Sequence, residues 1–468
     1  MPLLSAACPL HRLSFTFRGL TAFLRRRHTV ALTTVIVLAT PVALAAPQIE
    51  QWTAASGAQV YFVQSHALPL LDVQVDFAAG SAYDPPGQAG LAAMTVSLLD
   101  AGAGKLDEQT IADRTADIGA QIGGSADDDR ASLSIRSLSS ATERDAAIEL
   151  AATLLAEPTF PAEIVTRERN RSIAGLQEAL MRPATLAARA FTAALYPGHP
   201  YGSITTVHSL KSIDRRALVN FHRTHFSASR ATVAIVGDVD RATAESIAQR
   251  LTEGLPQAPA ASALPQVLAP VASVVRIPNP SAQAHILVGE PGLARTDPDY
   301  FPLLVGNYVL GGGGFVSRLT REVREQRGFA YSVYSAFLPQ QLPGPFQIGL
   351  QTRGDQADEA LAVVRDTLDR FIAEGPSAEE LQAAKDNLVN GFGLRLDANA
   401  KILGYVAMIG FYRQPLDWLD AYPRAVAAVS AEQVRDAFAR RIHPQRMVTV
   451  IAGGDGANAG AEAGSAGQ

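Results

Sequence analysis

The chain has 468 residues, of which 47% are hydrophobic and 18% charged, with 40 basic and 45 acidic side chains and one cysteine. A chain of this length is too long for a single hydrophobic core of ordinary size, so the sequence predicts at least two domains. The composition excludes collagen-like, rod-like and globally disordered proteins.

Residues 1–45 have the pattern of a secretory signal peptide. Three arginines at 25–27 precede an uncharged apolar stretch, and residues 43–45 read Ala-Leu-Ala, the small-x-small pattern of a cleavage site. The apolar stretch is short and contains Pro41, which argues against a retained anchor and against stable membrane insertion. We therefore predict a periplasmic protein.

Removal of residues 1–45 changes the charge and the cysteine count. The segment holds five arginines, no acid and Cys8, so 35 basic and 45 acidic residues remain, a net charge of −10. Nucleic-acid binding requires concentrated Lys and Arg, and this balance excludes it as the expected partner. Without a cysteine, the exported chain depends on its hydrophobic core for stability.

Three features repeat along the chain at a nearly constant interval. A strand-like segment leads to Asp84-Pro85 and again, 213 residues later, to Asp297-Pro298. Helix openings at residues 162 and 378, and glycine-stopped strands ending at 237 and 453, are both 216 residues apart. This spacing indicates a tandem duplication.

Each half has the pattern of an α+β layer fold. Apolar spacing predicts helices over residues 144–155, 163–180, 357–372 and 378–394, the last opened by a capping box of Ser377 and Glu380. We predict two homologous domains, 46–254 and 275–453, each a mostly antiparallel sheet with helices packed on one face. Residues 255–274 are rich in Pro and Ala and predict a linker, and residues 454–468 predict a disordered tail.

Several motifs then carry a family resemblance. They are His199-Pro200-Tyr201-Gly202, Val236-Gly237-Asp238, Gly311-Gly312-Gly313-Gly314-Phe315, and Arg327-Gly328-Phe329-Ala330-Tyr331-Ser332. With the duplication, they resemble the pitrilysin/insulinase-type (inverzincin) zinc peptidases, in particular short two-domain bacterial members. The resemblance covers residues 48–453 and implies the pitrilysin or mitochondrial-processing-peptidase fold.

The zinc-binding motif of that family is missing. Active members carry His-x-x-Glu-His after Gly-Leu-Ala, where two histidines bind zinc and the glutamate activates water. The matching positions here hold Ala93, Val96 and Ser97, which supply neither imidazole nor carboxylate. We therefore expect no metal or other cofactor on this chain and no independent zinc peptidase activity.

No other residues are expected to replace this site. Glu178, the nearest match to the family's third ligand, is interpreted as a helix-surface acid. His222 and His225 have i, i+3 spacing, but their segment is expected to lie well away from the degenerate helix. Ser97 has no histidine near it in sequence and no nucleophile-elbow motif, which argues against serine-type chemistry.

The second half retains residues that the resemblance connects with substrate. In catalytic relatives, an arginine and a tyrosine from this half reach the scissile peptide bond, and Arg324 and Tyr331 match them. Arg318 and Arg321 remain alternatives for the arginine. The competing interpretation is that these arginines are solvated helix charges and Tyr331 an ordinary sheet residue.

The glycine run at 311–314 and the acid run at 127–129 each admit two interpretations. Gly311, Gly312, Gly313 and Gly314 lack the Gly-Lys-Ser/Thr ending of a phosphate loop, so we interpret them as a flexible substrate-binding loop. Asp127-Asp128-Asp129 lacks the glycine and distal glutamate of a calcium loop and is predicted to be a charged turn.

The resemblance implies an accessory subunit of a heteromeric zinc metallopeptidase. A His-x-x-Glu-His homologue, paired with this chain as a heterodimer, would bind the zinc, while Arg324 and Tyr331 would act in trans on peptide substrates. The alternative is a non-enzymatic structural or peptide-binding periplasmic protein.

Overall fold

A computed structural model of the chain describes residues 47–257 and 263–454. The predicted signal peptide and nearly all of the predicted tail lie outside these residues, as do residues 258–262 of the predicted linker. In the described ranges, no helix combines the length and the apolar character needed to cross a membrane.

Within the described residues, the first half contains eight strands and eight α-helices. The strands are β1 (Glu50–Thr53), β2 (Gln59–Gln64), β3 (Leu70–Phe77), β4 (Gly102–Ala103), β5 (Leu106–Asp107), β6 (Gln121–Ala126), β7 (Ala131–Leu138) and β8 (Thr232–Gly237). The helices are α1 (Leu91–Ser97), α2 (Glu108–Asp117), α3 (Ala141–Ala156), α4 (Ala162–Ala179), α5 (Pro183–Leu195), α6 (Val207–Ser212), α7 (Arg215–His225) and α8 (Arg241–Thr252).

The second half contains five strands and six α-helices within the described residues. The strands are β9 (Ser273–Ile277), β10 (Gln283–Pro291), β11 (Ala330–Phe337), β12 (Pro345–Arg353) and β13 (Val448–Gly453). The helices are α9 (Tyr300–Asn307), α10 (Ala357–Glu374), α11 (Ala378–Asn390), α12 (Asn399–Phe411), α13 (Trp418–Ala428) and α14 (Ala431–Arg441).

The two main sheets share one strand order, which confirms the predicted duplication. The first sheet runs β1-β2-β8-β3-β7-β6 and the second β9-β13-β10-β12-β11, so the two agree apart from the additional edge strand β1. In both, one pair is parallel, β2 with β8 and β9 with β13, and the remaining neighbours are antiparallel. The mostly antiparallel α+β fold is therefore as predicted, and β6 and β11 are equivalent edge strands.

The predicted helices are present, with one shorter than expected. Ser377 and Glu380 form the predicted capping box, and α11 begins at Ala378. It ends at Asn390 rather than at 394, because Gly391 and Gly393 follow and glycine has a low helix propensity.

Each sheet also receives a helix from the other half on its second face. Along β8, Val233 and Ile235 belong to the core beneath the first half's own helices, whereas Ala234 and Val236 pack against α12 of the second half. This alternation follows from the two-residue period of a strand. Gly410 of α12 is required there, since a Cβ would stand 2.7 Å from the Tyr61 ring.

The exchange is reciprocal. Phe191 and Leu195 of α5, from the first half, pack against Val448 and Val450 of β13. Burial of each such large apolar side chain stabilises the fold by about 1.5–3 kcal/mol. Helices thus cover one face of each sheet as predicted, and the exchanged helix covers the other, which the sequence pattern did not indicate.

The acid run at 127–129 joins the two halves. It forms the predicted charged turn, between β6 and β7, but Asp129 is only 1% exposed. Its carboxylate accepts hydrogen bonds from the hydroxyls of Tyr201 and Tyr412 and from the backbone N–H of Gln341, the last at 2.8 Å. Two of these three donors belong to the second half.

Glu290 of β10 is a buried acid whose pKa predicts a pH-dependent stability. It is 4% exposed, accepts a hydrogen bond from the backbone N–H of His443, and burial raises its pKa from 4.5 to about 7. Because the folded protein holds this proton more tightly than the unfolded chain does, its stabilising contribution is present at low pH and is lost as the pH rises through about 7.

Glu290→Gln keeps an acceptor for His443 and carries no charge. We expect the variant to exceed the wild type in free energy of unfolding by about 1–2 kcal/mol at pH 8.5 and to equal it near pH 4. Urea unfolding at the two pH values measures this. An equal difference at both would show that Glu290 does not titrate in this range.

Candidate functional site

The helix at the family's zinc position is anchored by Asp84. Its carboxylate accepts hydrogen bonds from the backbone N–H groups of Gly90 and Ala92, both at 2.7 Å, at the start of α1. Burial raises the pKa of Asp84 to about 6, against the opposing effect of these hydrogen bonds. The carboxylate thus fixes the first turn of α1 in the fold.

The residues of α1 do not fit a metal ion. Ala93 and Ser97 are exposed, one turn apart, and Val96 is 2% exposed within the core of the first half. The Ser97 hydroxyl donates to the Met94 carbonyl at 3.2 Å. Among the residues the structure describes, no group of three His, Cys, Asp or Glu side chains could hold a metal.

Burial of Val96 makes the motif hard to restore. Val96→Glu would place a carboxylate in an apolar core without a partner, so we expect it to lower the free energy of unfolding by about 3 kcal/mol. Ala93→His and Ser97→His, at exposed positions of the same helix, are the matched controls and should each change it by less than about 1 kcal/mol. Thermal and urea unfolding measure the difference, and equal losses at all three positions would contradict it.

The other ligand candidates do not form a metal site within the described residues. The expectation that the histidine pair lies well away from α1 is wrong, because α7 packs directly against α1. Even so, His222 Nε2 is 2.8 Å from the Leu155 carbonyl, and burial lowers its pKa. Burial also lowers the pKa of His225 to about 4. Glu178 is exposed on α4, as a helix-surface acid would be.

Arg324 and Tyr331 lie together in the second half, beside the edge strand β11. The Arg324 guanidinium carbon is 4.9 Å from the centroid of the Tyr331 ring and 5.0 Å from that of Phe315. These three residues form what we call the Arg324 cluster. The rings are 84% and 71% exposed, respectively. Arg324 makes no ion pair with any described residue, so its guanidinium is held by the two rings alone.

A β-bulge presents Tyr331 to solvent. Ala330 pairs with Thr352 and Ser332 with Gln351, so Tyr331 is an extra residue between two consecutive pairs. Bulges re-aim side chains and occur often beside active sites. The bulge thus places Tyr331 outside the regular pairing of β11 with β12 and leaves its ring exposed.

The two alternative arginines are committed to other partners. Arg318 donates to Glu380 through Nε at 2.9 Å and to the Gly375 carbonyl at 2.9 Å. Arg321 lies 3.5 Å from Glu322 and 3.9 Å from Glu380. Of the three candidates, the structure places only Arg324 against Tyr331.

The glycine run is not the flexible loop that the sequence suggested. Residues Tyr308–Gly312 form a π-helical turn that continues α9, and Gly311 is buried against β11. A Cβ on Gly311 would stand 2.4 Å from the Ser335 backbone nitrogen. Close packing explains this glycine, while Gly312 and Gly314 remain exposed beside Phe315.

Two family models match this chain. Residues 60–207 match the model described as Insulinase (Peptidase family M16), and residues 212–388 match Peptidase M16 inactive domain. The crystal structure of a peptidase M16 inactive domain from Pseudomonas fluorescens is 37% identical, with a TM-score of 0.83, over 86% of this chain and 98% of that one. The chain belongs to peptidase family M16. Its α1 residues make it an inactive-type member.

Two curated M16 relatives differ in what their names state. An uncharacterized zinc protease from Streptomyces coelicolor is 32% identical over 268 residues, 54% of this chain and 55% of the relative. The chain thus spans little more than half the length of that relative. The Non-peptidase homolog YmxG from Helicobacter pylori is 22% identical over 383 residues, 81% of this chain and 87% of the relative.

Phe315 is the member of the Arg324 cluster that the sequence did not reveal as a site residue. Its position after four glycines was noted, but not its role. Gly314 has φ +62°, and the following short 3-10 turn leaves Phe315 and Val316 71% and 73% exposed. A large apolar residue after a glycine that favours a left-handed conformation was the available signal.

Proposed function

We propose that this M16 chain is the accessory subunit of a heteromeric zinc metallopeptidase. A homologue with His-x-x-Glu-His binds the zinc, and this chain supplies Arg324 and Tyr331 to the peptide substrate. The observation that carries the proposal is an accessible arginine–tyrosine pair in a chain whose own α1 cannot hold the metal.

The Arg324 cluster has the chemistry of a peptide contact. A guanidinium donor and a phenol at one exposed point can both donate hydrogen bonds to a carbonyl oxygen. Because the rings restrict the guanidinium, less side-chain entropy is lost when it binds. Exposed Phe315, Val316 and Tyr331 also form an apolar surface of the kind that marks interaction sites.

We also propose that the complex is periplasmic and that its zinc belongs to the partner subunit. The leader pattern supports a periplasmic location, where the partner would also reside. This chain binds no cofactor of its own, and zinc enters the complex with the partner subunit.

A non-enzymatic structural or peptide-binding role is the second candidate. The name of the Helicobacter relative, a non-peptidase homolog, favours it. A scaffold requires the apolar surface but not the hydrogen-bond donors of Arg324 and Tyr331. The two roles therefore differ in whether cleavage by a complex depends on these donors.

Cleavage of a quenched fluorescent peptide library tests the proposal. The exported chain, a His-x-x-Glu-His homologue from the same organism, and their mixture would each be assayed with and without a zinc chelator. Chelator-sensitive activity in the mixture beyond the partner's own rate is the expected result. A mixture no faster than the partner alone would overturn shared catalysis in favour of the second candidate.

A further inference from the structure

A groove that shares no lining residue with the Arg324 cluster concentrates positive charge on this otherwise acidic chain. The groove has a volume of about 510 Å³ and is lined by four cations: Arg130, Arg295, Arg395 and Lys401. None of its lining residues is an acid. The chain as a whole carries a net charge of −5, so the groove is more positively charged than the chain as a whole.

Two of the four cations have no carboxylate partner among the described residues. Arg130 pairs with Asp127 at 2.9 Å, and Lys401 with Asp397 at 2.8 Å. Arg295 and Arg395 make no ion pair with any residue that the structure describes. The buried Nε of Arg295 also has no hydrogen-bond partner there. A buried guanidinium donor without an acceptor is costly, and a bound anion would satisfy it.

Aromatic rings form the wall beside these arginines. Tyr405 stacks on Trp418 with ring centroids 5.8 Å apart, and Trp418 also meets Tyr300 at 6.5 Å. Tyr300, Arg295 and Arg395 line the same groove, and the Arg295 guanidinium carbon is 5.4 Å from the centroid of the Tyr412 ring. The wall is packed and therefore presents the arginines in a restricted geometry.

A second cavity continues from the groove. It has a volume of about 480 Å³ and shares Arg130, Arg295 and Tyr300 with the groove. Its lining adds apolar side chains, among them Leu303 and Phe337, and the acid run 127–129. A ligand that spans both spaces therefore meets cations without acids in the groove, and apolar side chains together with carboxylates in the cavity.

The start of α12 adds to the positive potential. This 13-residue helix begins at Asn399 without a side-chain cap and without an acid in its first turn. Its unpaired N–H groups favour negative charge. Gly404 lines the groove from the next turn, and a Cβ there would meet nothing within 4 Å.

We infer that this groove binds a carboxylate attached to an apolar group, as the C-terminus of a peptide ending in a hydrophobic residue presents it. Arg295 and Arg395 bind the carboxylate, and the adjoining cavity receives the terminal side chain. The charge of the ligand follows from the groove itself, and its identity as a peptide rests on the proposed function.

Binding of labelled peptides to the isolated exported chain tests this inference without the partner. A fluorescent hexapeptide ending in phenylalanine with a free carboxylate should bind at least tenfold more tightly than the same peptide with a C-terminal amide. Arg295→Gln and Arg395→Gln should each weaken binding of the free acid at least tenfold and leave the amide unchanged. Gly404→Leu, which fills the groove without removing charge, should weaken both.

Arg435→Gln is the matched control, since Arg435 is an exposed arginine 3.1 Å from Asp436 on α14 and should bind like the wild type. Circular dichroism verifies that each variant is folded. Equal binding of acid and amide, or full affinity in Arg395→Gln, would overturn the site. N-acetylphenylalanine binding as tightly as the hexapeptide would overturn the peptide assignment. A failed cleavage assay with intact acid-specific binding would instead reject only the shared catalysis.

Discussion

Tyr331→Phe and Arg324→Gln are each expected to reduce cleavage by the reconstituted pair by about 100-fold, the effect typical of removing one preorganised hydrogen-bond donor from a peptide carbonyl. Tyr331→Phe removes only the hydroxyl and keeps the ring against Arg324. Since that ring lies 4.9 Å from the guanidinium carbon, the two residues act as a unit. The double variant should therefore lose much less than the product of the single losses.

Two neighbours provide matched controls for this experiment. Arg321→Gln changes an arginine that already lies near Glu322 and Glu380, and Tyr334→Phe changes a tyrosine of the same strand whose hydroxyl accepts from Gln347 at 3.2 Å. Both should retain cleavage within about threefold of the wild type. The readout is kcat/KM of the mixture, with assembly measured by analytical ultracentrifugation. Full activity of Tyr331→Phe in an intact complex would make the chain a scaffold.

Asp129→Ala should lower the free energy of unfolding by about 4 kcal/mol. It removes the acceptor of two tyrosine hydroxyls and one backbone N–H, and each donor left unsatisfied costs about 1–3 kcal/mol. Burial raises the pKa of Asp129, and the hydrogen bonds from Tyr201, Gln341 and Tyr412 oppose that rise. Hydrogen-bond donors from both halves of the chain thus stabilise the charged form of this carboxyl group.

Urea unfolding measures the loss, and two variants locate its origin. Tyr412→Phe removes one of the three donors, one that belongs to the second half, and should cost about 1–2 kcal/mol. Asp127→Ala, at the half-exposed first acid of the turn, removes the acceptor of the Asp129 and Arg130 backbone N–H groups and should cost about 1–2 kcal/mol. Equal losses for Asp127→Ala and Asp129→Ala would show that the conformation of the turn, and not its hydrogen bonds to the second half, determines its contribution to the free energy of unfolding.

Local patterns in the sequence were sufficient for much of the fold. The duplication follows from spacing alone, and the strands ending at Gly237 and Gly453 occupy equivalent positions in the two sheets. The capping box at Ser377 placed the start of α11 correctly. The loss of the zinc site also required no structure, since Ala93 and Val96 cannot ligate a metal.

Features that depend on tertiary contacts were not predictable in the same way. The choice of Arg324 over Arg318 depends on Glu380, which is 62 residues away from Arg318 in sequence and pairs with it. The bulge at Tyr331 is a property of pairing with β12, not of the strand's own residues. Asp129 has the pattern of a surface acid until Tyr201 and Tyr412 surround it.

The reciprocal covering of the sheets by α5 and α12 has a consequence for how such a chain can be divided. If the coding sequence were cut in the linker, each product would lack the helix that shields the second face of its sheet. Neither product should be soluble by itself, while co-expression should restore a two-piece protein by fragment complementation. A homodimer of half-length chains that exchange one helix each would have the same arrangement of sheets and helices.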